Sequence, residues 1–279
     1  MNRSHSVQCS CKNISTYILF FLVCLSAGTG CGGRVSLPQI DDIGSSQVTR
    51  QSAEEAWGRV LVSSVDRFGR IDFKKVAKNP VDLNTYIYFI SRIGPSTHPN
   101  NFIDLNDRLA HYINSYNALA MYGVIQSNIP EDFYSFSDRY KFFKSTKFQV
   151  GNQWISLYDF ENDWILPVAD RRIHFVLNCM TVSCPRLSRK PFEGPTLDEQ
   201  LTRAAREFMN THLHVEVRPR KETVKLSQIF EMYPEEFPGA GEDLQELLKY
   251  VNSYRIQKIP ETYEIKFKPY LWYTKRQPN

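Results

Sequence analysis

The sequence predicts an α+β fold: one mixed domain, predominantly helical around a buried central helix (105–126), with a small antiparallel sheet. Three observations carry that expectation. Residues 105–126 are apolar nearly all round, with Leu109, Ile113, Tyr116, Leu119, Ala120 and Val124 at three- and four-residue steps, the pattern of a helix buried on every side. Shorter stretches repeat helical spacing, while residues 213–226 alternate as strands do. No repeat and no linker divides residues 53–275, so a single domain accounts for them.

Taken in order, Ser52 followed by Ala53-Glu54-Glu55 opens a helix with a serine cap and acids in the first turn; its apolar face runs through Val60, Leu61 and Val65 to a turn at Gly69. Asn79-Pro80 begins a second helix carrying Leu83, Tyr86, Ile87 and Ile90. Gly151-Asn152 sits between two short β-like runs and reads as a hairpin turn. Residues 156–165 look helical, and the apolar run 173–177 reads as a short strand. Residues 196–210 form a helix with a Thr196/Glu199 capping box. The alternating segment 213–226 turns near Pro219-Arg220-Lys221. Helices at 226–233 and 243–254 and a closing strand at 263–273 complete the domain. His212 and His214 are expected at an exposed edge, His111 packed inside the central helix.

The first thirty residues look like an address. Arg3 and Lys12 give a basic start, an apolar run spans Tyr17 to Ala27, and the small residues Gly28-Thr29-Gly30 precede Cys31. That order is the pattern of a secretory signal, and the run is shorter than the ~20 residues of a membrane-spanning helix. Cys31 between Gly30 and Gly32 resembles the lipid-attachment cysteine of bacterial lipoproteins, so lipidation, ordinary cleavage and a retained anchor all stand. Residues 31–52 are polar and poorly patterned and read as a flexible tether. The expected location is the cell envelope or outside the cell, with the membrane surface as a partner through the anchor. The net charge of +4 falls to +2 without Arg3 and Lys12. A balance so near zero leaves no nucleic-acid footprint.

The stretch Asp170 to Pro185 concentrates the chemistry. It brings His174, Cys179 and Cys184 within eleven residues, and these are the two cysteines left beyond Cys31. An imidazole beside a thiol can raise its thiolate fraction near neutral pH. Two cysteines with four residues between them can equally close a disulfide loop. Cys179 is favoured over Cys184 as a nucleophile because it lies where an apolar run gives way to a loop. Glu161, Asn114 and Asn117 are candidates to orient His174 or to bind an oxyanion. Each has a plainer alternative: His174 a core imidazole bonded to Glu161, Asn114 and Asn117 buried amides that pin neighbouring loops. One histidine with irregular cysteine spacing makes a poor metal set, and no residue pattern implies a cofactor.

Six landmarks occur in a characteristic order. They are Val65 to Phe73 (VDRFGRIDF), His111 to Ala118 (HYINSYNA), Leu157 to Asn162 (LYDFEN), Asp170 to Pro185, Leu197 to Leu201 (LDEQL) and Leu226 to Phe237 (LSQIFEMYPEEF). Together they resemble the DUF547 family, a domain of unknown function, over about residues 57–273. The chain departs from the family pattern at Tyr112 (a tryptophan there), Asn162 (a histidine) and Leu271 (an acid). The resemblance implies a fold and leaves activity open.

Two functional readings follow. One is a thiol-dependent hydrolase or acyl-transferase with Cys179 attacking, His174 shuttling the proton and Glu161 holding His174. The other is a non-catalytic envelope module that binds a peptide, glycan or lipid-linked ligand, with Cys179–Cys184 as a disulfide.

Overall fold

A computed structural model describes residues 33–43, 47–168 and 170–278. The expected signal and Cys31 lie outside the described residues. Among these, no helix is long and apolar enough to cross a membrane.

The described chain forms one α+β unit. It opens with α1 (Arg50–Ser64), α2 (Phe73–Lys78), α3 (Val81–Arg92) and the long α4 (Leu105–Gln126). α1 packs on α3, and α3 on α4. Next come α5 (Phe136–Arg139), a π-helical turn (Tyr140–Ser145), and the hairpin β1 (Phe148–Val150) and β2 (Gln153–Ile155). α6 (Leu157–Asp159) runs into a second π-helical turn, Phe160–Ile165. A 3₁₀ turn, Arg171–Phe175, leads to a long irregular segment before α7 (Leu197–Asn210). β3 (Val215–Arg218), β4 (Thr223–Ser227), α8 (Ile229–Met232), α9 (Leu244–Tyr254) and β5 (Glu264–Lys268) finish the fold.

The central helix is as expected from its periodicity. Fifteen of the sixteen residues from Leu109 to Val124, all but Tyr112, are buried, because apolar side chains on every face leave no solvent stripe. Asp104 caps it by accepting from the Asn106 and Asp107 N–H groups. Two apolar cores form around it. One gathers α1 to α4 with Phe142, Phe148 and Phe160; the other gathers α7 and α9 with β3 and β4 around Phe175, Phe208 and Phe230. Trp272 packs against both.

Several local expectations are corrected. α1 begins at Arg50 because Thr49 is the cap, and Ser52 is the reciprocal third residue of that capping box. Thr196 makes no side-chain cap bond, since a 3₁₀ turn at Gly194–Thr196 already leads the chain into α7. The run 173–177 is not a strand: Asp170 caps a 3₁₀ turn there by accepting from Arg172 N–H. A short buried apolar run has no periodicity to separate the two. The helix expected from residue 226 starts only at Ile229, because Leu226 and Ser227 pair in β4. The closing strand stops at Lys268 and runs parallel to β4, so the three-stranded sheet is mixed; the β1–β2 hairpin is the antiparallel sheet. The expected tether is held at several of its described residues. Val35 and Gly33 bond the Lys147 backbone, Tyr122 donates to Ser36 O at 2.8 Å, and Ile43 is buried.

Gly194 marks a tight crossing. A Cβ there would lie 2.8 Å from Asp107 Cα and 2.9 Å from Asp107 N at the start of α4. Backbone atoms cannot swing aside, so Gly194→Ala should cost about 1–3 kcal/mol, read as a lower urea midpoint with an unchanged denaturant slope.

Candidate functional site

The site residues converge where α4 meets the irregular segment 176–192. Asn114 and Asn117 sit one turn apart on α4 and both are buried. Asn114 Nδ2 donates to Phe192 O at 2.8 Å, and Phe192 N–H returns a bond to Asn114 Oδ1 at 2.9 Å. Asn117 Nδ2 donates to Val176 O at 3.0 Å while its Oδ1 accepts from Asn178 N–H at 2.7 Å. Each amide therefore spends one of its two N–H donors, and its oxygen, on backbone that has no strand or helix partner. In this arrangement both asparagines pin loops.

Glu161 enters from the π-helical turn after α6. Its two carboxylate oxygens accept from Tyr116 at 3.0 Å and Tyr233 at 2.7 Å. Burial raises the Glu161 pKa, and the two hydroxyls oppose that rise. Burial, with the neighbouring Glu161 charge second, lifts both tyrosines well above their ordinary value. The expected Glu161–His174 bond is absent: each Glu161 oxygen accepts from a tyrosine, and the imidazole makes no bond to either. His174 instead packs its ring on Tyr233 and Phe237, with centroids 4.2 and 5.2 Å away. Its Nε2 is buried without a hydrogen-bond partner among the described residues. Burial lowers its pKa to about 4, so the ring is neutral at pH 7.

Cys179 and Cys184 are joined as a disulfide, with Cα atoms 6.2 Å apart. The hydroxyl of Tyr270 lies 3.2 Å from each sulfur, and Thr181 Oγ1 lies 3.2 and 3.3 Å from them. Cys179 N–H points at the Cys184 sulfur at 3.0 Å. His174 is not among the polar neighbours of either sulfur. The loop is held from outside as well. Asn178 Nδ2 donates to Pro185 O, Lys275 N–H donates to Met180 O, and the Lys275 ammonium donates to Cys184 O at 2.6 Å and Pro185 O at 2.8 Å. Burial, then Arg186, pushes the Lys275 pKa down to about 7.

Sequence reading brought Asn114, Asn117, Glu161, His174 and both cysteines to one region. It missed Tyr116, Tyr233, Tyr270 and Lys275. The tyrosines fall in core-like patterns, where their hydroxyls carry no separate signal, and nothing local marks Lys275 as buried. His214 also differs from expectation: it is buried and stacks on Phe208 at 3.8 Å. Among the described residues no three His, Cys, Asp or Glu side chains converge as a metal set.

A family model described as "Protein of unknown function, DUF547" matches residues 101–209. That span holds four of the six landmarks, from His111 to Leu201, and supports the family resemblance. No curated protein matches the chain, and no solved structure does.

The buried imidazole has a measurable consequence. The folded-state pKa of His174 lies below its unfolded value of 6.5, so folding stability is full above pH 6.5 and declines as pH falls toward 4. Between pH 7 and 5 this one residue should remove about 2 kcal/mol. His174→Phe, suited to a pocket of Tyr233 and Phe237, should lose correspondingly less over that interval in paired urea titrations. Equal losses in the two proteins would show that the ring has the same pKa folded and unfolded.

Proposed function

We propose that the chain is an exported protein of the cell envelope, attached to the membrane surface through a lipid on Cys31, whose domain binds a peptide, glycan or lipid-linked partner without catalysis. The observation that carries this reading is the Cys179–Cys184 bond inside a loop already tied to Asn117 and Lys275. A nucleophile needs a free thiolate; here both sulfurs are consumed and the loop is braced on several sides. Such a bond persists in an oxidising compartment, which agrees with the basic start and apolar run of residues 1–30. Exposed rings offer contact area for a partner: Tyr134 meets Tyr273 edge-on at 4.9 Å, and Phe136 stacks with Tyr140 at 6.3 Å.

Protein taken from its native compartment should resist alkylation at both cysteines until a reductant is added. Two free thiols by mass spectrometry would remove the basis of this reading. The paired change Cys179→Ser/Cys184→Ser should cost about 2 kcal/mol for so short a loop. Cys31→Ser should abolish incorporation of labelled fatty acid and move the protein out of the membrane fraction. The thiol-hydrolase reading keeps one supporting feature, the partial exposure of Cys179. It requires that a thiol-reactive acyl analogue label Cys179 in reduced protein and that His174→Ala abolish the label.

A further inference from the structure

A cavity of about 360 Å³ opens between the turn after α1, the segment 185–192 and one face of α7. Five cationic side chains line it, Arg67, Arg186, Arg189, Lys190 and Arg203, together with Lys275, whose pKa burial has brought down to about 7. One acid, Glu207, faces them, and it is spent on an ion pair with Arg186. Among the described ion pairs none includes Arg67, Arg189, Lys190, Arg203 or Lys275. The local excess matters because the entire chain carries only +4. Like charges held around one hollow repel each other, and desolvating walls strengthen that repulsion. An arrangement of this kind is stabilised by a bound anion.

We propose that this cavity binds an organic phosphate: a group bearing two or more negative charges on an aromatic or sugar body. One carboxylate would leave most of the charge uncompensated, whereas a phosphate or pyrophosphate offers several acceptors to guanidinium forks. The body of the ligand has its own surface, since Phe68, Phe175 and the stacked Phe208–His214 pair also line the cavity. Phe68 is 55% exposed at the wall, with the guanidinium groups of Arg67 and Arg70 over its ring at 4.7 and 5.0 Å. Its turn is fixed by Gly69, whose φ of +74° suits glycine, and whose missing Cβ would stand 2.7 Å from Leu187 N. The wall carrying Arg67 and the wall carrying Arg186 are thereby held in contact. Lys275 joins the cavity to the disulfide loop through its bonds to Cys184 O and Pro185 O. An anion beside it offsets the cost of keeping that ammonium buried.

This goes beyond the reading above and rests on it only in treating the chain as a binding protein. Titration calorimetry on the disulfide-intact domain, at about 0.15 M ionic strength to screen loose surface charge, should show saturable binding of inorganic pyrophosphate. Arg67 and Arg203 are exposed, so Arg67→Gln/Arg203→Gln should keep the wild-type melting temperature while weakening binding about tenfold or more. Arg206→Gln is the matched control for Arg203→Gln alone: it removes one charge from an exposed position of the same helix that does not line the cavity, and binding should persist. A cavity-dependent sedimentation with vesicles containing phosphatidylinositol 4-phosphate, whose ring carries a phosphomonoester, but not with phosphatidylcholine alone, would assign the phosphate to a lipid headgroup. Pyrophosphate binding without vesicle binding would assign it to a soluble ligand. Absence of saturable binding to either probe overturns the proposal, as does equal weakening in Arg206→Gln and Arg203→Gln. Neither result touches the thiol count, so the disulfide reading stands or falls separately.

Discussion

The two asparagines of α4 are the constraint on which the rest of the site depends. A helix buried on all sides cannot leave an amide unpaired, because burying a polar group without a partner costs free energy comparable to several apolar contacts. The segment 176–192 has the matching problem: at Val176, Asn178 and Phe192 its buried backbone lies outside any strand or helix. Asn114 and Asn117 solve both at once by reciprocal bonds to Phe192, Val176 and Asn178. Spaced three residues apart, they project from one face and reach two separate parts of the same loop. The disulfide, Asn178 and Lys275 then fix the intervening turn, including Met180 at φ 66°.

That arrangement decides what the titratable groups can do. A carboxyl group as deep as Glu161 needs donors, and the nearest are the hydroxyls of Tyr116 and Tyr233. Both oxygens are directed at these hydroxyls, and the imidazole is packed against rings away from them. His174 is left neutral between aromatic rings, where a depressed pKa is the expected result of burial alone. The parts of a catalytic pair are therefore near one another in sequence and separated in chemistry. The sulfurs face Tyr270 and Thr181, while the imidazole faces Tyr233 and Phe237.

Charge is distributed with a different logic. Overall near-neutrality conceals a strong local imbalance, because cations from three distant stretches, around residues 67, 186–190 and 203, meet at one hollow. Elsewhere the ion pairs are mostly ordinary surface contacts: Arg59 with Asp82, or Lys266 with Glu264, contribute little under screening.

The central helix, the helices at 81–92 and 244–254, and both hairpin turns were legible because periodicity and turn chemistry are local properties. The DUF547 resemblance was legible for the same reason, being a string of short motifs. Segment 173–177 was misread because five buried apolar-rich residues look alike in a strand and in a 3₁₀ turn. The parallel pairing of β5 was invisible because strand direction is set by the path of α8 and α9 between β4 and β5. By itself the sequence determined which residues must be inside and which carry chemical potential: His174, Glu161, the two asparagines and the cysteines. Only the tertiary structure decided their partners, since Tyr116, Tyr233, Tyr270 and Lys275 arrive from remote parts of the chain. A hydrogen bond depends on where an atom lies, and spacing along the chain does not encode that for groups tens of residues apart.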